Sequence, residues 1–377
     1  MGIHPLKKIE DKVRDLVQNL DYLLYLLLNP FKFKPYPKII NKILIVELFN
    51  IGDLIVITPV LKALKQVYPK AEIDVLIKKG MESVLAHNKN VNNLIPFTAF
   101  SEMHSLIKKR NYDLGMILHP GSLQISLLLL LGKVKYRVGC TKAGITYGKG
   151  FFLNKKVFPN NKWQHKIEDN LDVIRSIHMT PTDKSLELHT AKTAEQKMAK
   201  LLNKKQHPWI GITAASKHWT QQWYPDKFAE VANYYINRKN AAIIFTGLKT
   251  EQEQIDDIIS RITKKENVFN LCGKTTFPEL VAVIKQLDLL ITIDSASTHI
   301  ASAFNTPVLT LFGPTMPPFW GPTGKNSSFI WKEKEACIGC RRYYCIYRKD
   351  HECMKSITPE EVVTTSEKIM KRKKERN

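Results

Sequence analysis

No apolar run, Tyr22 to Leu28 and Ile125 to Leu131 included, approaches the roughly 18–20 residues a bilayer-spanning helix requires. A transmembrane helix is therefore not expected. The N-terminus has no basic segment followed at once by an apolar stretch and a small-residue cleavage site, and Leu6 stands where a myristoylation signal has Ser or Thr, so neither secretion nor N-terminal acylation is indicated. The six cysteines, Cys140, Cys272, Cys337, Cys340, Cys345 and Cys353, are then expected in a reducing cytosol that does not build a disulfide framework. Gly-x-Gly-x-x-Gly and Walker sequences are missing, which removes the main support for dinucleotide oxidoreductases and P-loop enzymes. Asp-x-Asp is missing too, so no acidic pair is in view to hold a divalent cation against a diphosphate. Acidic side chains are scarce, 35 against 57 Lys and Arg, and the net charge of +22 gives a surface that attracts phosphates and anionic lipid. The basic residues are scattered without an aromatic-interleaved motif, so no nucleic-acid partner is expected.

What remains is a folding chain of ordinary composition. Its 377 residues correspond to about two domains at ~150 residues each. Hydrophobic residues at 44% and charged residues at 24% fit a globular protein and exclude disorder, collagen and a multi-span membrane protein. Residues 1–38 form an N-terminal amphipathic, basic segment: Leu6, Ile9, Val13, Leu16, Leu20, Leu23, Leu24 and Leu27 recur at helical spacing, and Pro30, Pro35 and Pro37 stop the helix. Two readings stand for it, a helix on a membrane surface or a helix packed on the body. Residues 39–180 alternate β-branched runs (Ile43 to Leu48, Ile73 to Ile77, Leu114 to Leu118) with helical patterns (Pro59 to Val67, Ser101 to Arg110). Residues 181–358 repeat this with Ile210 to Thr213, Ala242 to Phe245, Val268 to Leu271, Leu289 to Ile293 and Val308 to Leu311. Asp169 to Ile177 and Thr193 to Leu202 are expected as connecting helices, and residues 359–377 as a C-terminal helix, Pro359 to Met370, fraying into a basic tail. The fold class is α/β, two doubly wound Rossmann-like domains, whose ligands bind outside the carboxyl ends of the strands.

Three segments carry candidate chemistry. Gly52-Asp53 follows the first strand directly; Gly52 is expected to turn the backbone tightly and Thr58-Pro59 to start the next helix as N-cap and first helical residue. Asp53 is then either a general base at the mouth of the crevice or a loop carboxylate satisfying backbone donors. Asp294-Ser295-Ala296-Ser297-Thr298-His299 runs from a strand into a helix rich in small residues. Its unpaired N–H groups, with hydroxyls from Ser295, Ser297 and Thr298, outline a diphosphate site, against the plainer reading of a capped helix with His299 in the core. Thr213-Ala214-Ala215-Ser216-Lys217-His218-Trp219 and Gln221-Gln222-Trp223 follow the first strand of the second domain, where Lys217 or His218 can neutralise a leaving diphosphate. Gly247 to Glu251 ends the next strand with a carboxylate suited to ribose hydroxyls, and Phe312-Gly313-Pro314-Thr315 adds a further loop on the same edge.

Taken in order, Gly52-Asp53 with Thr58-Pro59-Val60-Leu61-Lys62-Ala63-Leu64, then Asp294 through His299, Thr306-Pro307 and Phe312-Gly313-Pro314-Thr315, resemble the heptosyltransferase family, glycosyltransferase family 9, from about Lys42 to Val362. The resemblance implies a GT-B fold with two domains facing across a cleft, a nucleotide-diphosphate sugar donor held mainly by the C-terminal domain, and inversion at the anomeric carbon. It implies that Asp53 is the catalytic base, Glu251 the ribose-binding residue and Asp294 the acid near the donor sugar. Thr213, Ser216, Lys217, Gln221 and Ser295 to His299, Ala296 included, are the residues expected to line the donor from their place after the strands. Two departures stand out: Gln221 where relatives carry Lys, unless Lys217-His218-Trp219 is the equivalent segment, and Ala296 where they carry Gly.

Cys337, Cys340, Cys345 and Cys353 gather four thiols in a short segment, which is either a structural zinc or iron site or a set of reduced thiols. No cofactor is expected for catalysis. The leading reading is an inverting glycosyltransferase moving a sugar, plausibly heptose from ADP-heptose, to a lipopolysaccharide core or another anionic, lipid-linked glycan. Its expected location is the cytoplasm, peripherally on the inner face of the cytoplasmic membrane. A degenerate binding scaffold and a nucleotide-sugar epimerase are the alternatives.

Overall fold

The computed structural model describes residues 5–118, 122–140, 150–157, 163–201, 208–216, 218–333, 340, 345 and 351–374. It divides into two compact units, one spanning Pro5–Glu187 and the other beginning at Leu188.

In the N-terminal unit, continuous apolar runs become strands because a parallel sheet covered on both faces gives every side chain a buried environment. The strands are β1 (Lys42–Glu47), β2 (Glu72–Lys78), β3 (Asn93–Phe97), β4 (Leu114–Ile117), β5 (Tyr136–Cys140) and β6 (Lys155–Val157). They pair in parallel in the order β3-β2-β1-β4-β5-β6, with Ile43 opposite Ile73 on one side and Leu114 on the other. Ile43, Leu44 and Ile45 are completely buried, each such side chain contributing about 1.5–3 kcal/mol by leaving water. Chain order reverses between β1 and β4, so the crevice of this sheet opens where β1 ends.

The second unit repeats the plan. Its strands β7 (Trp209–Thr213), β8 (Ala242–Phe245), β9 (Val268–Asn270), β10 (Leu289–Ile293), β11 (Val308–Phe312) and β12 (Ser327–Trp331) are parallel in the order β12-β11-β10-β7-β8-β9. Here the reversal lies between β7 and β10. The C-terminal helix Pro359–Lys374 starts on a capping box, Thr358 N–H donating to Glu361 Oε2 at 2.9 Å and Glu361 N–H to Thr358 Oγ1 at 3.2 Å. Val362 and Ile369 enter the core, and Ser366 meets the buried Tyr235 hydroxyl at 2.5 Å. The basic stretch expected to fray is helical as far as Lys374, held by this packing.

Two further expectations are corrected. Gly52 makes no tight turn: it lies in the first turn of the helix Ile51–Val56, and the positive-φ glycines among the described residues are Gly80 and Gly273. Thr58 does not cap the following helix, whose N-cap is Ile57; its hydroxyl donates to Ile55 O at 2.7 Å and accepts from Glu187 N–H at 3.0 Å. Gly313 lies in the loop that follows β11, and a Cβ there would sit 2.6 Å from Met354 Sδ and 3.3 Å from Cys353 Sγ.

The N-terminal helix spans Pro5–Leu28 and is anchored at its end. Tyr25 donates its hydroxyl to Asn154 O at 2.8 Å and Asn29 its amide to Leu153 O at 2.7 Å. Leu16, Leu20, Leu23, Leu24 and Leu27 follow the spacing of a single stripe on the opposite side and are exposed, Leu27 to 69%.

Candidate active site

Asp53 belongs to the helix Ile51–Val56, which begins just after β1 at the crevice of the N-terminal sheet. The apolar strand delivers the chain to this edge, and Leu54, Ile55 and Val56 are then buried, leaving Asp53 half-buried in the first turn. Its Oδ2 accepts the Asn50 N–H at 3.1 Å, so the backbone-satisfying role read from sequence is real. Burial pushes its carboxyl up to about 6, opposed by the Asn50 and Asp53 amides and by the Lys166 ammonium. A carboxyl in this range ionises near neutrality and still has the proton affinity of a useful base.

Two neighbours escaped the sequence reading. Glu47, the last residue of β1, is 2% exposed; its Oε1 accepts Phe49 N–H at 3.1 Å, and burial together with the Asp53 charge raises its carboxyl well above the ordinary range. The available signal was a carboxylate inside an otherwise apolar buried strand. Lys166 opens the helix Lys166–Arg175, buried, its Nζ 2.6 Å from Asp169 Oδ2. Only the fold brings this cation near Asp53.

In the C-terminal unit, the segments after β7 and β10 meet at the reversal point. Ser295 is the N-cap of the helix Ala296–Ala303 in extended backbone, so the first amide N–H groups of that helix, Ala296 and Ser297, have no intrahelical acceptor. Such a terminus carries about half a positive charge.

The hydroxyls expected to help are also joined to one another. Ser295 Oγ pairs with Thr292 Oγ1 at 3.0 Å, Ser297 Oγ accepts from Thr213 Oγ1 at 3.3 Å, and Thr298 Oγ1 lies 3.1 Å from Thr310 Oγ1. Thr213 also meets Thr246 at 2.8 Å. These contacts stitch the ends of β7, β8, β10 and β11 together beneath the helix start, and Ser297, which accepts in its contact, keeps its hydroxyl proton to donate. His299 is buried and packs 5.9 Å from the Trp320 ring. Asp294 sits half-buried at the end of β10, beside this helix start.

Ser216 Oγ donates to Gln221 Oε1 at 2.8 Å and Gln222 Nε2 donates to Ser216 O at 2.6 Å, so Gln221 ties its own loop. Glu251 Oε2 accepts Leu248 N–H at 2.8 Å, which fixes the carboxylate at the end of β8. Lys217 lies outside the described residues, as does Cys337. Cys353 is buried under Gly313, Cys340 and Cys345 are half-exposed, and among the described residues no three His, Cys, Asp or Glu side chains gather to hold a metal.

Known proteins share this chain's pattern and fold. Lipopolysaccharide heptosyltransferase 3 of Escherichia coli K12 is 29% identical over 336 residues, covering 85% of this chain and 95% of the relative. The crystal structure of a family 9 glycosyltransferase from Veillonella parvula superposes with a TM-score of 0.75 at 21% identity, covering 88% of this chain and 97% of that one. The E. coli ADP-heptose lps heptosyltransferase II follows at 0.74 and 22%, covering 88% and 99%. These likenesses agree with two doubly wound domains of the GT-B class. The model of glycosyltransferase family 9 (heptosyltransferase) matches residues 100–351, more than half of the sequence, and the chain belongs to that family and is a glycosyltransferase.

Proposed function

We propose that the protein transfers heptose from ADP-heptose, with inversion, to a lipopolysaccharide-core acceptor, with Asp53 as general base. The observation that carries this is the carboxyl of Asp53 at the end of β1, half-buried and raised to about 6. In a single displacement the acceptor oxygen attacks the anomeric carbon, the bond to the diphosphate oxygen breaks on the opposite face, and the acceptor proton passes to Asp53. ADP leaves carrying the negative charge. The Ala296 and Ser297 amides meet that charge with fixed dipoles, which need no reorganisation as it develops. Glu251 is assigned to the ribose hydroxyls and Asp294 to the donor sugar. Neither a cofactor nor a metal has a part in this scheme. Relatives named for lipopolysaccharide and ADP-heptose support the choice of acceptor and donor.

The experiment is a thermal-shift panel of ADP, UDP, GDP and CMP. ADP at a hundredfold excess over its Kd adds about 2.7 kcal/mol of stability and raises the midpoint selectively. Selective stabilisation by UDP or GDP overturns the heptose assignment, and no shift with any nucleotide favours a binding scaffold.

We further infer that the protein works at the inner face of the cytoplasmic membrane. The exposed stripe Leu16, Leu20, Leu23, Leu24 and Leu27, turned away from the Tyr25 and Asn29 anchors, is the surface of an interfacial helix, and the charge of +22 favours anionic lipid. The protein is expected to float with phosphatidylglycerol-containing vesicles, and Leu20→Asp/Leu27→Asp to stay in the soluble fraction. Equal flotation of the two proteins contradicts the helix as the contact.

A further inference from the structure

A cavity of about 720 Å³ opens in the C-terminal unit at the amino ends of its strands, where Pro208 precedes β7 and Asp288 precedes β10. The diphosphate is assigned to the carboxyl ends of the same sheet, so the length of the strands separates the two places. Among the described residues the cavity wall is completed by Lys239, which ends the helix Pro225–Lys239, and by Glu367, Lys368, Met370 and Lys371 of the C-terminal helix. Its volume falls within the ~300–1,000 Å³ usual for small-molecule sites.

The walls are held in place by the core. The helices Pro225–Lys239 and Pro359–Lys374 pack on each other, joined by the Tyr235 and Ser366 hydroxyls. Asp288 Oδ2 accepts Trp209 N–H at 2.8 Å, Asp288 N–H donates to Trp209 O at 3.0 Å, and Ala242 N–H donates to Pro208 O at 3.0 Å. The two acids on the wall therefore have their own tasks, Asp288 on this backbone bond and Glu367 on Lys239 Nζ at 3.0 Å. Lys368 and Lys371 are exposed at i, i+3 on one helix, and among the described residues no carboxylate pairs with either. A helix macrodipole draws cations to the last turn, which covers Lys371 and leaves Lys368, one turn earlier, without that reason. Two ammonium groups beside the apolar Pro208 and Met370 suit a compact anion joined to a less polar body, and lysine binds phosphate as a point charge.

We propose that this cavity binds a phosphate ester, with Lys368 and Lys371 on the phosphate and Pro208 and Met370 against the rest of the ligand. A phospholipid headgroup and a free phosphorylated metabolite share this chemistry. The site is independent of the transfer chemistry assigned to Asp53.

The test is calorimetric titration of the full chain with two probes, glycerol 3-phosphate and dihexanoylphosphatidylglycerol below its micelle concentration. One equivalent is expected to bind, more weakly as salt is raised. Binding of glycerol 3-phosphate makes a free ester the ligand, and binding of the lipid alone makes it a headgroup; either result supports the site. Lys368→Gln/Lys371→Gln is expected to weaken that binding by roughly tenfold or more, through lost charge-assisted hydrogen bonds. Its unfolding midpoint is expected to hold, since both positions are exposed and Gln is a good helix former. Arg372→Gln/Lys373→Gln removes the same charge from the same helix outside the cavity lining and is expected to leave the affinity nearly unchanged. Three results overturn the site: binding of neither probe, an unchanged affinity in Lys368→Gln/Lys371→Gln, and an equal loss in the two double variants, which reduces the binding to diffuse surface charge.

Discussion

Asp53→Asn is expected to lower kcat/KM by roughly 10²–10⁴-fold, the usual worth of a positioned general base, with the fold and ADP binding intact. The substitution separates the two roles of the side chain. An amide oxygen at the same place still accepts the Asn50 N–H, so the helix start Ile51–Val56 keeps its cap, but the amide cannot take the acceptor's proton. The pH dependence follows from the sign of the shift. Burial raises the Asp53 carboxyl to about 6, and the active form of a base is the ionised one. Wild-type kcat/KM is therefore expected to climb with pH through about 6 and to level off above it. The residual rate of Asp53→Asn is expected to lose that inflection. A variant with full activity, or one that keeps the inflection, removes Asp53 from the chemistry.

Ala296→Asp is expected to separate stability from donor binding. Ala296 is the first residue of the helix Ala296–Ala303, where an acidic side chain complements the macrodipole by about 0.3–1 kcal/mol, so the midpoint without ligand holds or rises slightly. The same carboxylate stands where the diphosphate is assigned. Two unit charges ~4 Å apart at an effective dielectric constant near 20 interact by about 4 kcal/mol. Half of that repulsion weakens ADP binding by about 30-fold. Titration of the ADP-induced midpoint shift reads this directly, and an unchanged ADP affinity would put the diphosphate elsewhere than at this helix.

Sequence pattern reveals the central strands, buried on both faces, and one partly buried edge strand, Val268–Asn270. The expected runs at Ile43, Ile73, Leu114, Ile210, Ala242, Val268, Leu289 and Val308 are all strands. The strands it does not reveal carry polar residues for local reasons. β3 lies at a sheet edge, where Asn93 and Pro96 are tolerated; β6 begins Lys155-Lys156, and β12 begins Ser327-Ser328. β5 is internal yet contains a buried Arg137, accepted there because its guanidinium donates to Phe152 O and Val134 O, both at 2.8 Å.

The candidate site divides along similar lines. The placement of Asp53, Glu251 and Asp294 is legible because each lies in the segment that follows a strand, and in such sheets the carboxyl ends face the ligand. Hydroxyl roles are not legible, since spacing along the chain cannot tell whether Thr298 meets a phosphate or Thr310 on β11. Lys166 is far from Asp53 in sequence and reaches it only through the packing of the helix Lys166–Arg175 against Ile51–Val56. Glu47 had a local signal, one acid in a run of buried aliphatic residues.

The central claim, sugar transfer with Asp53 as the base, is tested most directly by mass spectrometry of a deacylated, heptose-truncated lipopolysaccharide core incubated with ADP-heptose and either wild-type protein or Asp53→Asn. The account predicts one added heptose per acceptor with stoichiometric ADP release for the wild type, and only a trace of the same product for the variant. Release of ADP and free heptose without a modified acceptor, or equal product from the two proteins, contradicts it.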